Sequence, residues 1–340
     1  MDGKGKLRIF LGYAAGTGKT YQMLTEAQRL RREGRDVVIG YFEPHGRVET
    51  IAQTEGLEFV PRRKFEHRGS VFEDMDTDGV IRRRPSVAAV DEFAHSNVPG
   101  CERPKRWQDV LAILEAGIDV LTSMNVQHIE SLNDQVWQVT GIRVRETVPD
   151  WVIQQADEVV VVDVTPRALI HRMERGVVYA PEKAMRALQN FFTESNLTAL
   201  RELSLRQAAQ QLNEQMTASM PEQRGESILL WMTPHPSTAA LIRRGRRVAD
   251  YLSCRCTAVY CEGDAAGVEP WLNICRNLRI EAAPISAGGN QAVSVVEYAR
   301  AHGITQIFMT RDAPALGPMI RQMAEMQVTV VGTYRNGAEV

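Results

Sequence analysis

The amino-acid sequence predicts two α/β domains, each built on a parallel β-sheet with helices packed against it. Short apolar segments alternate with segments of helical periodicity over the first 165 residues, and the same alternation returns after residue 227. Strands that alternate with helices in this way are typical of parallel sheets with helices on both faces. The chain has 340 residues, which is enough for two such domains.

The first series contains five apolar segments that we predict to be buried strands. They are residues 7–13, 36–42, 86–92, 118–124 and 158–164. A helix is predicted from Lys19 to Arg32, ended by Gly34, and another over residues 106–117. Residues 166–213 have mostly helical character and complete a first domain over residues 1–213.

A polar segment with proline and glycine, residues 214–226, is predicted to be a linker to a second, smaller domain over residues 227–340. The strands predicted in the second domain are residues 228–233, 256–261, 278–285, 305–310 and 328–333. Its predicted helices are residues 237–252, 291–302 and 317–326.

The composition narrows the class of protein. The net charge of −2 gives no overall field that would attract nucleic acid, and no apolar run approaches the roughly 20 residues of a membrane span. The N-terminus lacks the features of a signal peptide, and the five cysteines include no C-x-x-C pair. We therefore expect a cytoplasmic protein without membrane insertion. Cys254 and Cys256 are interpreted as buried thiols, with a thiolate metal site as the alternative.

The stretch Gly12–Thr20 reads GYAAGTGKT and follows the first predicted strand. The phosphate-binding P-loop pattern is G-x-x-x-x-G-K-[ST], and only its opening glycine is displaced here, because Tyr13 stands at that position and Gly12 comes one residue early. A P-loop binds the phosphates of a nucleoside triphosphate through the backbone amides before a helix, a lysine and a hydroxyl group. The nucleotide-binding residues expected are Ala15, Gly16, Thr17, Gly18, Lys19 and Thr20. The alternative is a tight turn with a solvated lysine.

A second motif supports the first one. The predicted strand VAAV is followed by Asp91 and Glu92. An acidic residue on a neighbouring strand completes the Mg²⁺ site of a P-loop, so we expect Thr20 and Asp91 to hold Mg²⁺. Glu92 stands where a base for an attacking water could act, which makes it the catalytic candidate. Together the two motifs predict a P-loop NTPase-like sheet in the first domain.

Two further loops follow predicted strands and should face the same crevice, because ligands of parallel sheets bind at the carboxyl ends of the strands. Their polar side chains are accessory candidates: Glu43, His45, Arg47, Asn125, Gln127 and His128. The alternative for the second loop is structural, with Asn125 as a helix cap and His128 as a first-turn residue.

Several long motifs of the chain resemble the N-terminal cytoplasmic region of the KdpD sensor kinases, the osmosensitive potassium-channel regulators of bacteria. The similar stretches include LGYAAGTGKTYQML, VVIGYFEPHGRVET, VDEFAHSNVPGCERPKRWQDV and ADEVVVVDVTPRALIHRM. The family has the same early glycine in its loop. The resemblance implies ATP binding through Gly16, Gly18, Lys19 and Thr20, with Asp91 in the acidic strand.

The second domain resembles the universal-stress-protein-like domain that follows in the same family. In some members that domain binds cyclic di-AMP through an S-x-S turn and an F-T-A-x-Y strand, which makes this dinucleotide a further candidate ligand. Here the strand has Cys256 in place of phenylalanine, and the turn reads Thr233-Pro234-His235. The chain therefore departs from both motifs.

The resemblance implies an ATP-binding cytoplasmic sensor module of a two-component potassium or osmotic response. We expect a protein partner, either a sensor kinase or a potassium-transport component, and no membrane or histidine-kinase catalytic domain in this chain. ATP hydrolysis is expected to be slow at most, since the sequence identifies no definite arginine finger; Arg47 and Arg103 are the candidates for one. The alternatives are a P-loop kinase or ATPase acting on a small substrate, and a scaffold with a vestigial site.

Overall fold

The computed structural model describes residues 3–176, 178, 191–217, 226–286, 290–313 and 326–332. The chain divides into two compact units, Met1–Val148 with Val152–Gln211, and Pro149–Trp151 with Leu212–Val340. Each unit has its own parallel sheet with helices, which confirms the predicted α/β class.

The described strands are β1 (Leu7–Gly12), β2 (Val37–Tyr41), β3 (Glu58–Phe59), β4 (Arg63–His67), β5 (Ser70–Asp74), β6 (Val87–Val90), β7 (Asp119–Asn125), β8 (Glu158–Val161), β9 (Ser227–Trp231), β10 (Arg255–Cys261), β11 (Glu281–Ile285), β12 (Gln306–Thr310) and β13 (Gln327–Val331). The described α-helices are α1 (Lys19–Arg32), α2 (Val48–Ala52), α3 (Thr77–Arg83), α4 (Arg106–Glu115), α5 (Asn133–Thr140), α6 (Asp150–Gln154), α7 (Pro166–Glu174), α8 (Glu194–Thr217), α9 (Thr238–Leu252), α10 (Ala265–Asn277) and α11 (Gln291–Ala301).

The sheet of the first unit has the order β3-β2-β6-β7-β1-β8, and all its pairs are parallel. The inner strands β1, β2, β6 and β7 are buried because helices cover both faces, which explains their mostly apolar sequences. The edge strands β3 and β8 are more exposed, although β8 was predicted to be buried. Helix α1 packs Met23, Leu24 and Ala27 against this sheet, and all three are fully buried. The helix ends before Gly34, which has a φ of 86° that suits a left-handed stop.

A two-stranded antiparallel hairpin, β4–β5, stands beside this sheet. The sequence analysis did not predict it. Its side chains are mostly exposed, and only Asp74 at its end is buried.

The sheet of the second unit has the order β11-β10-β9-β12-β13, again all parallel. Alternate residues of each strand enter two different cores. In β9, Leu229 and Trp231 pack with Val295 and Ile307 on one face, while Leu230 packs on the other. This two-sided burial explains why the strand ILLW is apolar at every position.

Some sequence-based predictions lie partly or wholly outside the described residues. They are the helix 317–326 except for its last residue, residues 177 and 179–190 of the mostly helical region 166–213, and residues 218–225 of the linker. Helix α8 continues to Thr217, four residues into the segment predicted to be the linker. The linker itself stays a prediction.

Candidate functional site

The carboxyl ends of β1, β6 and β7 meet at one edge of the first sheet. The parallel register pairs Phe10 with Ser123 and Val90 with Thr122. The residues that follow these strands are therefore neighbours at the edge. Asp91 comes directly after β6, and the loop Gly12–Thr20, called here the glycine-rich loop, leads from β1 into α1.

The glycine-rich loop needs glycine at several positions. Gly16 and Gly18 have φ values of 87° and 102°, which side chains disfavour. A Cβ on Gly12 would lie 2.5 Å from Thr17 Oγ1 and 2.9 Å from Lys19 Cδ. Gly12 thus lets the Lys19 side chain lie directly over the backbone of the loop. Gly18 is also the N-cap of α1, and without a side chain it leaves the first amides of the helix uncapped.

Tyr13 occupies the position where the strict pattern has glycine. Its side chain is buried, and its hydroxyl donates a hydrogen bond of 2.8 Å to the carbonyl oxygen of Val164, just beyond β8. Burial raises the pKa of Tyr13 to about 12, so the hydroxyl stays protonated and can donate. The tyrosine therefore ties the start of the loop to the end of β8.

The ammonium group of Lys19 lies inside the loop. Its Nζ donates to the carbonyl oxygen of Ala14 at 2.9 Å, and only 8% of the residue is exposed. Burial lowers the pKa of Lys19 to about 8, although the charges of Glu92 and Asp91 oppose this shift. A neighbouring anion would favour the charged form of this lysine.

Asp91 is buried, and the hydroxyl groups of Thr20 and Ser123 both donate to the same oxygen of its carboxylate. Thr20 Oγ1 donates to its Oδ1 at 3.2 Å, and Ser123 Oγ donates to the same atom at 2.5 Å. Its Oδ2 is buried without a hydrogen-bond partner among the described residues. Burial, and then the negative charge of Glu92, raise the pKa of Asp91 to about 6. This carboxylate has the environment of a group that needs a cation.

Glu92 differs from its neighbour. Its backbone has a φ of 57°, a left-handed conformation that costs a non-glycine residue about 1–3 kcal/mol. Its carboxylate lies 3.2 Å from His45 Nε2, and 46% of the side chain is exposed. The hydrogen bond with His45 lowers the pKa of Glu92. Asp91 and Glu92 are thus adjacent carboxyl groups with pKa values shifted in opposite directions.

A buried arginine supports the end of β6. Arg106 donates to the carbonyl oxygen of Asp91 at 3.4 Å and to the carboxylate of Asp74, and its guanidinium lies 3.8 Å from the ring centroid of Tyr41. Burial opposes ionisation of Asp74, but a hydrogen bond from His95 and the charge of Arg106 hold its pKa at about 2. The backbone of Asp91 is therefore fixed by an ion pair that the sequence analysis did not foresee.

Two cavities border the glycine-rich loop. The first, called here the lysine cavity, has a volume of about 660 Å³. It is lined by Ala15, Lys19, Thr20, His45, Arg47, Glu92, Ala94, Ser123, Met124, Asn125, Gln127, His128, Ile142, Val144, Val178, Phe191 and Phe192. The second, called here the β8 cavity, measures about 650 Å³. It is lined by Gly16, Thr17, Gly18, Thr20, Tyr21, Gln22, Gly46, Arg47, Val48, Glu49, Thr50, Asp163, Val164, Arg172, Gly176 and Val178.

The accessory candidates do not all reach these cavities. Glu43 accepts hydrogen bonds from Tyr41 and Arg62 at 3.2 and 3.4 Å and lines neither cavity. Arg47 borders both, and its Nε is buried without a partner among the described residues. Arg103, the other candidate arginine finger, also lines neither cavity and instead faces Asp109.

The loop after β7 contributes the polar wall of the lysine cavity. Asn125 is the N-cap of a short 3-10 helix but makes no side-chain cap bond. Its Oδ1 and Gln127 Oε1 are buried without partners within the described part of the chain. His128 Nδ1 donates to the carbonyl oxygen of Glu146 at 2.7 Å, and burial lowers the pKa of His128. A neutral imidazole therefore has its Nε2 as an acceptor.

Sequence reasoning missed three residues of this site. Ser123 could have been found, because the parallel register places the residue after Thr122 beside the residue after Val90. Arg106 gave no signal, since it appeared as a polar position on an amphipathic helix. Arg172 on α7 donates to the carbonyl oxygen of Gly16 at 3.1 Å, a contact between segments 156 residues apart in the chain.

The residues of the site suit Mg²⁺ held together with a phosphate. Asp91 and Thr20 offer hard oxygen ligands, and no donor in the described part of the chain bonds to the buried Oδ2 of Asp91. Mg²⁺ usually takes one or two protein oxygens and completes its shell with water and phosphate. Groups of three or more His, Cys, Asp or Glu side chains that could hold a metal alone are absent from the described residues.

The candidate residues of the second unit are the two cysteines near β10 and the turn after β9. Cys256 is buried as a free thiol, and burial raises its pKa to about 12, which disfavours a thiolate ligand. Cys254 lies just before β10 rather than on it. At the turn after β9, Thr238 Oγ1 donates to the carbonyl oxygen of Thr233 at 2.8 Å, and His235 pairs with Ser237. Cyclic di-AMP stays a prediction from the resemblance.

The first unit is therefore an α/β protein with a glycine-rich loop, a buried lysine and a buried carboxylate at the carboxyl edge of a parallel sheet. The family profile described as "KdpD: Osmosensitive K+ channel His kinase sensor domain" matches residues 3–212. The chain belongs to this family of KdpD sensor domains. Among the described helices, none is both long and apolar enough to cross a lipid bilayer.

Relatives of known name agree with this membership. The chain is 44% identical to the sensor protein KdpD of Escherichia coli (strain K12) over 326 residues, 91% of this chain and 36% of that protein. It is 41% identical to the sensor protein KdpD of Mycobacterium tuberculosis over 89% of this chain and 37% of that protein. The chain thus spans little more than a third of the length of these relatives. A universal stress protein structure from Burkholderia pseudomallei matches 33% of this chain and 98% of its own, with 14% identity and a TM-score of 0.27.

Proposed function

We propose that the first unit binds ATP with Mg²⁺ at the glycine-rich loop, in the manner of a P-loop. The observation that carries this proposal is the hydrogen bond of 3.2 Å between Thr20 and the buried carboxylate of Asp91. A hydroxyl at the start of a helix and an aspartate on a neighbouring strand are the two protein ligands that P-loop proteins offer to Mg²⁺. Bound Mg²⁺ would place a divalent positive charge beside the carboxylate of Asp91.

The loop would bind the phosphates through three kinds of group. The uncapped amides of α1 and the N-terminal end of its dipole favour an anion at Gly18. Lys19 would exchange its hydrogen bond to the carbonyl of Ala14 for one to a phosphate oxygen. The φ values of Gly16 and Gly18 allow the backbone to approach the phosphates closely.

The biological role we propose is a nucleotide-dependent regulatory module of a potassium or osmotic response, located in the cytoplasm. Its partner would be a sensor kinase or a potassium-transport component. One contact could relay the state of the loop, because Arg172 of α7 donates to the carbonyl oxygen of Gly16. A phosphate at the loop would act on α7 through this arginine.

A P-loop kinase or ATPase acting on a small substrate is the second candidate. The observation that favours it is the lysine cavity, where Glu92 is paired with His45 beside Lys19. A carboxylate in that place could orient a water or a hydroxyl for attack. Steady-state ATP turnover distinguishes the candidates, because a regulatory module without its partner should turn over more slowly than about 1 s⁻¹.

Titration calorimetry with Mg·ATP tests the primary proposal. We expect Lys19→Ala to weaken binding at least tenfold, or about 1.4 kcal/mol, because it removes the cation that faces the phosphates. Lys64→Ala is the matched control, since the Lys64 side chain is 72% exposed on the β4–β5 hairpin. Equal affinities in the wild type and Lys19→Ala would refute nucleotide binding at this loop. A parallel titration with cyclic di-AMP tests the prediction for the second unit.

The predicted division at residues 214–226 is a separate proposal. Each unit has its own buried sheet, so each should fold by itself. Limited proteolysis should cut within the predicted linker and leave two stable fragments. Resistance of this segment under conditions that cleave an unfolded control would contradict the division.

A further inference from the structure

The two cavities meet different parts of the glycine-rich loop. Lys19, Glu92 and Ser123 border only the lysine cavity, whereas Gly16 and Gly18 border only the β8 cavity. The proposed metal ligand Thr20 borders both. A phosphate chain on the loop that directs its terminal phosphate to Lys19 therefore directs its other end into the β8 cavity.

The β8 cavity has the chemistry that a nucleoside requires. Tyr21 and Val48 offer apolar surface, with exposures of 40% and 79%, and Val164 adds to it. The ring of Tyr21 offers a face on which a base can stack, and the two valines add apolar contact around it. Two carboxylates line the same cavity, Glu49 and Asp163, and Asp163 is the one that pairs with an arginine.

Asp163 is held in place and kept ionised. Arg201 donates two hydrogen bonds to it, at 2.7 Å to Oδ1 and 2.5 Å to Oδ2, and these bonds lower the pKa of Asp163. Each carboxylate oxygen has a further lone pair that can accept a hydrogen bond. Two adjacent hydroxyl groups present the matching pair of donors.

We propose that the β8 cavity is the nucleoside subsite of the first unit, and that Asp163 accepts hydrogen bonds from the ribose hydroxyls of the bound nucleotide. This inference rests on the proposed nucleotide function. It assigns the specificity for a nucleotide over a bare polyphosphate to residues outside the glycine-rich loop. Lys19 and the loop would bind either ligand.

The test is calorimetry of the full chain with four Mg²⁺ complexes: ATP, 2′,3′-dideoxy-ATP, inosine triphosphate and inorganic tripolyphosphate. We expect the wild type to bind ATP and inosine triphosphate alike, and to bind the dideoxy compound at least tenfold more weakly, about 1.4 kcal/mol. Asp163→Asn replaces two charged acceptor oxygens by one neutral one, so it should weaken ATP binding towards the level of the dideoxy compound and leave the binding of tripolyphosphate unchanged. Lys19→Ala should weaken the binding of all four ligands.

Two controls separate a ligand contact from a structural effect. Arg201→Gln breaks the ion pair but keeps the Asp163 acceptor, so it should retain the preference for ATP. Asp78→Asn makes the same chemical change as Asp163→Asn at a side chain that is 45% exposed on α3, and it should bind like the wild type. Thermal unfolding of each variant shows that it is folded.

Four results would overturn the inference. The first three are equal binding of ATP and dideoxy-ATP by the wild type, an equal loss of ATP and tripolyphosphate binding in Asp163→Asn, and a loss of ATP binding in Arg201→Gln as large as in Asp163→Asn. The fourth is weak binding of inosine triphosphate together with normal binding of dideoxy-ATP. That result would mean that Asp163 accepts from the amine of the base and not from the ribose hydroxyls. If tripolyphosphate binds with a requirement for Lys19, the proposed function survives these outcomes. If nothing binds the wild type, both proposals fail.

Discussion

Asp91→Asn should stabilise the first unit in the absence of metal and nucleotide. The pKa of Asp91 is raised to about 6, by burial first and then by Glu92. This is about two units above the unfolded value of about 3.9, and each unit corresponds to about 1.36 kcal/mol. Keeping this carboxylate ionised therefore costs the folded state about 3 kcal/mol at pH 7.5. The amide oxygen of asparagine can still accept from Thr20 and Ser123.

The pH dependence has a definite sign. Because the folded state binds this proton more tightly than the unfolded state, the wild type loses stability as pH rises from about 4 to about 6 and is constant above. The asparagine variant lacks this loss. We expect the two proteins to be nearly equal at pH 4 and to differ by about 3 kcal/mol at pH 7.5.

The assay is urea unfolding in the presence of a chelator, followed by hydrogen-exchange mass spectrometry. Peptides from β6 and β7 report on the first unit alone, which a whole-chain signal would not. Glu66→Gln on the exposed hairpin is the control and should change stability by less than about 0.5 kcal/mol. A destabilised Asp91→Asn variant, or a difference that is the same at pH 4 and pH 7.5, would refute the reasoning.

Three further predictions concern the proposed ligand. The affinity for Mg·ATP should fall about tenfold per pH unit below pH 6, because Asp91 must ionise to bind the cation, and calorimetry at pH 7.5, 6 and 5 checks this. Gly12→Ala should weaken ATP binding about tenfold or more, as the loss of one charged hydrogen bond would, because the new Cβ displaces the Lys19 side chain. Gly263→Ala is the control and should have no effect, because a Cβ at Gly263 meets no atom within 4 Å. ATP turnover without a partner should stay below about 1 s⁻¹, and a faster coupled-enzyme signal abolished by Glu92→Gln would instead indicate an enzyme.

The sequence predicted the parallel sheets because their strands are buried on both faces. Helix α1 was predicted with its observed bounds, because the spacing of its apolar residues indicates a helix and Gly34 marks where the helix ends. The β4–β5 hairpin was missed because its exposed side chains carry no apolar alternation. Helix α10 was missed because it contains Gly267 and Pro270, which usually mark the end of a helix.

The candidate site was predictable only where its chemistry is local in sequence. The loop and the acidic pair are short motifs, and the structure places Thr20 within 3.2 Å of Asp91 as the motif implied. The support of these residues is not local: Arg106 reaches Asp74 across 32 positions, and Arg172 reaches Gly16 across 156. No periodicity or motif encodes such contacts, because they depend on the order of strands in the sheet.

The buried tyrosine at the start of the loop also affects how related sites can be recognised. A search that demands glycine at that position would reject this chain, although the hydroxyl of Tyr13 fastens the loop to Val164. The useful pattern allows glycine one residue earlier, where Lys19 needs the space, and accepts an aromatic hydroxyl next to it. Replacing Tyr13 by glycine would restore the strict pattern but should make the loop less rigid, because the hydrogen bond from Tyr13 to the carbonyl oxygen of Val164 would be lost.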